Sequence, residues 1–202
     1  MLASDSDSAA CVSTLIRAGG CAVVPAEGVY GLVCSASRPD AIARLIQLKG
    51  REAGKPMLLL APDWNAAHAL AAEVPDALSG LEAERAAVTI LLPAREDVPY
   101  GLVGPERLVG VRLPADDFGQ ALTEAGGLIV STSANDSGGP SPRSVDEVPE
   151  GIQSRVDVVV DGGTLHGTPS TVAKWEGDGL RVLREGAVDR DRLVALVGVP
   201  VR

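Results

Sequence analysis

Five short apolar runs constrain this chain more than any other feature. They are Cys21-Ala-Val-Val-Pro25, Met57-Leu-Leu-Leu-Ala61, Val88-Thr-Ile-Leu-Leu92, Leu108-Val-Gly-Val-Arg-Leu113 and Leu128-Ile-Val-Ser131. Each is too short for a helix of ordinary length, and each is continuous rather than alternating. Such runs become strands buried on both faces, which requires helices on both sides of a sheet. The intervening segments supply helices. Apolar residues recur at helical spacing over 9–18, 40–49, 116–125 and 189–197, and residues 64–85 read as two short helices broken near Pro75. Asp40 is the expected N-cap of its helix, and Gly50 ends it.

Residues 26–37 read as a glycine-containing loop. Three further strands are expected late, at 156–160, 170–174 and 180–183. Helices and strands interleave early and strands cluster late, so the expected fold class is α/β, with a twisted sheet of mixed direction. There is no internal repeat and no linker, so one domain spans 1–202. A chain of 202 residues buries an adequate core without metals or disulfides.

Charge and composition exclude some functions. Asp and Glu total 27 against 18 Lys and Arg, a net charge of −9, which argues against nucleic-acid binding by bulk charge. The aromatic residues are only Tyr30, Trp64, Tyr100, Phe118 and Trp175, too few for a base-stacking platform. Cys11, Cys21 and Cys34 contain no C-x-x-C pair and read as free thiols in a reducing compartment. The N-terminus is acidic and polar, unlike a signal peptide, and no apolar stretch reaches membrane-spanning length. A cytoplasmic location is expected.

Familiar catalytic patterns are missing. There is no G-x-S-x-G and no H-E-x-x-H, and His68 and His166 are the only histidines. Gly50-Arg-Glu-Ala-Gly54-Lys55-Pro56 is one residue short of a P-loop, carries Pro in place of the magnesium-binding Ser/Thr, and follows a helix.

Three features remain. Lys49, Arg51 and Lys55 cluster where a helix ends. They form either a solvated turn, with Lys49 complementing the helix C-terminus, or a phosphate site. The run Ser131-Thr-Ser133-Ala-Asn135-Asp-Ser137-Gly-Gly-Pro-Ser141 follows directly from an apolar strand. It is either a polar turn or a set of hydroxyls and N–H groups at a strand end, where ligands bind in α/β sheets. Arg112 and Arg184 lie in strand-like runs. Each is either an edge arginine, solvated or paired to a carboxylate such as Glu185, or an anion-recognition group.

These pieces, in this order, resemble the YrdC domain family of threonylcarbamoyl-AMP synthases. Pro25-Ala-Glu-Gly-Val-Tyr-Gly-Leu32 resembles the family's P-T-x-T-V-Y-G-L. Lys49-Gly-Arg51 and Lys55-Pro56-Met57-Leu58 match its K-x-R element and the segment after it. Val109-Gly-Val-Arg112-Leu-Pro matches V-A-V-R-x-P, and Ser131 to Gly138 matches S-T-S-A-N-x-S-G. Ser170-Thr-Val172 and Leu183-Arg184-Glu-Gly186 match the closing S-T-V and L-R-x-G. The likeness extends over residues 8–190, nearly the whole chain.

The resemblance implies a twisted α/β fold with a concave basic cavity. It implies the reaction of L-threonine, bicarbonate and ATP to threonylcarbamoyl-AMP and pyrophosphate, for modification of adenosine at tRNA position 37. Lys49, Arg51, Lys55, Ser133, Asn135, Ser141 and Arg184 would then form the ATP site, with Lys49 and Arg51 stabilising phosphoryl charge and Asn135 shaping the loop. Arg112, Ser131 and Ser170 would hold L-threonine, Arg112 through its carboxylate. Mg2+ would be held mainly by the ATP phosphates, with no protein metal site. Partners would be tRNA or double-stranded RNA and the downstream tRNA threonylcarbamoyl transferase complex, with no membrane.

Several positions depart from the pattern. Ala26 and Gly28 replace the two threonines of P-T-x-T, and Leu60 stands where many relatives carry histidine. Glu52 replaces a proline after K-x-R, and residues 82–87 lack W-P-G-P. The departures fall on threonine recognition more than on ATP recognition. They leave open a paralogue with another carbamoylated substrate, and a non-enzymatic RNA- or ribosome-binding module.

Overall fold

In the computed structural model, which describes residues 1–50, 57–104 and 106–202, all five apolar runs lie in one sheet. The strands are β1 (Leu2–Ala3), β2 (Cys21–Ala26), β3 (Val29–Ser35), β4 (Leu58–Leu60), β5 (Val88–Pro93), β6 (Leu108–Arg112), β7 (Ile129–Ser133), β8 (Val158–Asp161), β9 (Thr171–Glu176) and β10 (Gly179–Arg184). Among the described residues their order is β1-β8-β2-β3-β7-β4-β6-β5-β9-β10. The pairs β1/β8, β2/β8, β4/β6 and β5/β9 are parallel and the other five pairs antiparallel, so the sheet is mixed as expected.

The helices are α1 (Ser6–Arg17), α2 (Pro39–Lys49), α3 (Trp64–Ala67), α4 (Ser79–Ala83), α5 (Asp117–Gly126), α6 (Glu150–Gln153) and α7 (Arg190–Val197). Asp5, Asp63, Asp116 and Asp189 cap α1, α3, α5 and α7, each accepting a hydrogen bond from a first-turn N–H. The expected cap of α2 is a correction. Arg38 occupies the N-cap without a side-chain bond, Pro39 opens the helix, and Asp40 in the first turn pairs with Arg38 at 2.7 Å. Gly50 does end α2, in the left-handed conformation at φ 58°.

The expected loop over 26–37 is also corrected, because most of it is β3. Gly31 obscured the run Val29-Tyr-Gly-Leu-Val-Cys-Ser35, at a place where a Cβ would be crowded. A Cβ on Gly31 would stand 3.1 Å from the Ala26 Cβ and 3.2 Å from the Ser131 Oγ. β2 and β3 form a hairpin in which Ala26 faces Val29, leaving only Glu27 and Gly28 to connect them. Cys21 faces Cys34 across this hairpin, both buried, and all three cysteines are free thiols.

Strand alternation distributes the core over two faces. Ala22, Val24, Val33, Leu60 and Ile129 pack with Ala9, Val12 and Ile16 of α1 and Phe118 and Leu122 of α5. Cys21, Val23, Tyr30, Leu32, Leu59, Ile90, Val111 and Val130 point the other way, into a larger cluster that includes Leu45 of α2, Leu81 of α4 and Leu193 of α7. Leu60 is 3% exposed within the first cluster, so it is a core residue rather than a site residue. No helix among the described residues is long and apolar enough to cross a membrane.

Candidate active site

The face that buries α1 and α5 changes character along its strands. On β7 the side chains on this face run Ile129, Ser131, Ser133, from core into polar ground. Register places Ser131 beside Leu58 of β4, Leu58 beside Gly110 of β6, and Gly110 beside Leu91 of β5. Beyond the two helices this stretch of sheet floors a cavity of about 320 Å³. Its walls include Ser133 and Ser141 from the β7 side and Ser170 and Arg184 from the β9–β10 side. Gly110 keeps the floor low, since a Cβ there would meet Leu91 at 3.2 Å and the Met57 carbonyl at 3.4 Å.

Six residues assigned from the sequence therefore line one cavity: Arg112, Ser131, Ser133, Ser141, Ser170 and Arg184. Two arginines meet on Ser170. Arg112 Nη1 donates to its Oγ at 3.3 Å, and Arg184 Nη2 donates to its carbonyl at 2.8 Å. Thr89 Oγ1 lies 2.9 Å from the same hydroxyl. Partial burial and the charge of Arg112 lower the pKa of Arg184 from its ordinary value.

The closing motifs have a packing cause. A Cβ on Gly186 would lie 2.3 Å from the Pro169 carbonyl, so only glycine lets the chain after Arg184 return against Ser170. The Thr171 hydroxyl accepts from the N–H groups of Gly186 and Val188 and fixes that return.

Lys49 and Asn135 sit differently from the other assigned residues. Lys49 is 5% exposed at the end of α2, and its Nζ donates to the carbonyls of Ser133 and Asn135, each at 2.6 Å, and to Ser133 Oγ at 3.2 Å. The Asn135 side chain accepts from Lys49 and from the Ser133 hydroxyl, and donates to the Gly139 carbonyl. Asn135 thus organises the loop, and Lys49 is the buried cation around which the loop winds. Arg51, Lys55 and Glu52 lie outside the described residues.

Glu27 was not singled out by sequence, where it is the variable position of the first motif. Its Oε1 lies 3.3 Å from Arg112 Nε, and both side chains are 7% exposed. This is a charge contact without an aligned hydrogen bond, because neither Arg112 Nε nor Glu27 Oε2 has a hydrogen-bond partner. The Ala115 N–H donates to Oε1 at 3.1 Å. Burial raises the Glu27 pKa, opposed by Arg112 and the Ala115 N–H. Its φ is 63°, in the left-handed region that disfavours residues with a Cβ. No pattern in the sequence marked this conformation. Thr89, one residue into an apolar run, was missed for the same kind of reason.

Gly28 answers to a different neighbour than expected. A Cβ there would lie 2.0 Å from the Thr168 carbonyl and 2.7 Å from His166 Cε1. The segment 162–169 crosses over the hairpin end, held by Gly167 N–H to the Gly28 carbonyl at 2.8 Å. Tyr30 ties its other end, donating to the Gly163 carbonyl at 2.8 Å and accepting from Gly162 N–H at 2.9 Å.

Comparison with known proteins identifies the family and the fold. Residues 14–186 match the Sua5/YciO/YrdC family model, described as "Telomere recombination". A threonylcarbamoyl-AMP synthase of Pyrococcus abyssi is 33% identical over 192 residues, covering 91% of this chain and 55% of that protein. One from Nitrosococcus oceani is 38% identical over 153 residues, covering 74% of this chain and 83% of its own length. The crystal structure of P. abyssi Sua5 complexed with L-threonine superposes with a TM-score of 0.86 at 29% identity, covering 98% of this chain and 60% of that one. The chain thus spans little more than half the length of its P. abyssi relative.

Proposed function

The chain belongs to the Sua5/YciO/YrdC family, and from that premise we propose that it is a threonylcarbamoyl-AMP synthase, a nucleotidyltransferase using L-threonine, bicarbonate and ATP. The observation that carries this reading is the meeting of Arg112 and Arg184 on Ser170, opposite the hydroxyls of Ser131, Ser133 and Ser141. Such a cavity binds two anions side by side, a carboxylate and a polyphosphate.

In the proposed reaction the threonine ammonium gives up a proton and its nitrogen attacks bicarbonate-derived carbon, forming a carbamate and releasing water. A carbamate oxygen then attacks the α-phosphorus of ATP. The P–O bond to the β-phosphate breaks, and pyrophosphate leaves with that electron pair. No step needs a covalent protein nucleophile. The protein aligns the reactants and stabilises charge on phosphoryl oxygens.

Arg112, Ser131 and Ser170 hold threonine. Arg184, Ser133 and Ser141 hold the nucleotide, on a loop kept in shape by Lys49 and Asn135, and Arg51 and Lys55 add to its phosphate contacts. The cavity lining brings hydroxyls and guanidinium groups but no carboxylate among its described residues, a donor set that suits a Mg2+ arriving on the triphosphate. The product passes to a tRNA threonylcarbamoyl transferase in the cytoplasm.

The test is pyrophosphate release from ATP and bicarbonate, with and without L-threonine. Release that requires threonine supports the synthase. ATP binding without threonine-dependent release favours a paralogue acting on another amine, and salt-sensitive RNA binding without turnover favours a binding module.

A further inference from the structure

We propose that Glu27 is a positioning residue that reserves Arg112 for a carboxylate and keeps phosphate away from it. The inference rests on the proposed function, in which one cavity receives both an amino acid and a triphosphate.

Backbone strain and burial at Glu27 each cost the fold free energy. Its backbone is left-handed at φ 63°, at the first of two residues connecting Ala26 to Val29, a position where hairpins favour glycine. Its carboxylate is 7% exposed. One carboxylate oxygen, Oε2, is buried with no hydrogen-bond partner. A buried ion pair such as Glu27 and Arg112 adds little to stability over a hydrophobic pair of the same volume. Unfavourable backbone and burial retained together at one residue beside a cavity point to a role in the site.

The role follows from where the charges lie. Glu27 contacts the Nε edge of Arg112, whose Nη1 reaches Ser170 in the cavity wall. The anion therefore fixes the guanidinium from the side and offsets its charge. Arg184 donates to the Ser170 carbonyl and has no ion pair among the described residues. Among the described residues the cavity thus holds one compensated arginine and one uncompensated arginine, both on Ser170. A polyphosphate is drawn to the uncompensated cation. A carboxylate, with a single charge, needs only the hydrogen bonds that Arg112 still presents. Without Glu27 both arginines attract phosphate, and the two substrates compete for one of them.

The test is calorimetric titration of L-threonine into the full chain, with and without inorganic pyrophosphate, for wild type, Glu27→Gln and Glu27→Asp. In wild type the threonine affinity should change by less than about twofold when pyrophosphate is present. In Glu27→Gln it should fall by about tenfold or more when pyrophosphate is added, because Arg112 is then open to either anion. Glu27→Asp keeps the charge but shortens the reach. It should weaken threonine binding while leaving it indifferent to pyrophosphate; Glu27→Ala, which also removes the charge, should show the competition expected of Glu27→Gln and carries the test if that variant does not fold.

Indifference to pyrophosphate in Glu27→Gln overturns the proposal and leaves the proposed reaction standing. Pyrophosphate competition in Glu27→Asp equal to that in Glu27→Gln also overturns it. Wild type that binds pyrophosphate but no threonine overturns the reaction and the role of Glu27 together.

Discussion

The carbonyl oxygen of Thr168 lies 2.0 Å from the place where a Cβ on Gly28 would stand. Gly28 is absent from the positive-φ positions of the chain, so its backbone angle does not demand glycine; the close approach of the 162–169 segment does. The threonine usual in the family's motif has given way here to a backbone strap. Restoring it by Gly28→Thr would not restore a hydroxyl to the site. The strap would have to lift off, losing the Gly167 N–H bond to the Gly28 carbonyl. The expected result in urea denaturation is a loss of about 1–3 kcal/mol, the usual range for overpacking. Proteolysis within 162–169 should quicken in parallel. A variant with unchanged stability and an intact strap would show that the hairpin end has room to spare.

Lys49 acts on its surroundings through the loop after β7. Its ammonium holds the carbonyls of Ser133 and Asn135, each at 2.6 Å. Lys49→Met keeps the apolar stem and removes the donors, leaving these buried acceptors short of a partner. Threonine-dependent pyrophosphate release should fall by about 10²-fold, the scale for losing one preorganised group. Amides of residues 133–139 should exchange faster with deuterium. Slower turnover with unchanged exchange would assign Lys49 to the phosphates directly and not to the loop.

The strands were legible because continuous apolar runs have few other uses. The run 128–131 reads as a strand leading into a polar loop, and β7 carries the polar side chains as far as Ser133. β3 was not legible, because Gly31 breaks its apolar run and its register partners, Val24 and Ser133, lie across a turn or far away in sequence. Arg112, Ser170 and Arg184 could be grouped only through the family resemblance, since nothing in local spacing brings residues 112, 170 and 184 together. Glu27 was illegible for a physical reason. Its importance lies in a φ angle and in a partner 85 positions away, neither of which residue type announces. The rank of Lys49 as a loop anchor also depends on a tertiary contact, although its place at the C-terminal turn of a helix was plain.

The pairing of Glu27 with Arg112 predicts strongly non-additive mutations. Arg112→Ala leaves the Glu27 carboxylate buried without its cation, at a cost of about 3–5 kcal/mol, the usual scale for breaking such a pair. Arg112→Ala combined with Glu27→Gln removes the stranded charge and should recover at least about half of that loss. Threonine binding should be absent from both. Denaturant titration of the two single variants and the double variant reads the coupling. Additive losses would mean the two charges do not sense each other across their 3.3 Å separation.

Acid should reproduce the loss of the Glu27 charge in the wild-type protein. Burial raises the Glu27 pKa above its ordinary 4.5. Arg112, the Ala115 N–H and the charge of His166 oppose that shift, and Asp116 adds to it. The sign follows from linkage. The folded state holds this proton to higher pH than the unfolded chain does, so the stability that Glu27 contributes is complete below the unfolded value and declines as pH rises through the folded value. Above the raised value the carboxylate is ionised and offsets Arg112. As pH falls through the raised value, Glu27 becomes neutral and Arg112 is open to polyanions. Sulfate is the suitable probe, because it stays dianionic across this range while pyrophosphate takes up protons. Across a pH interval that brackets the raised value, sulfate should compete with threonine on the acid side only, whereas Glu27→Gln should show competition throughout. Calorimetry over that interval checks the expectation, and a wild-type midpoint at or below 4.5 would mean that burial does not control this carboxylate.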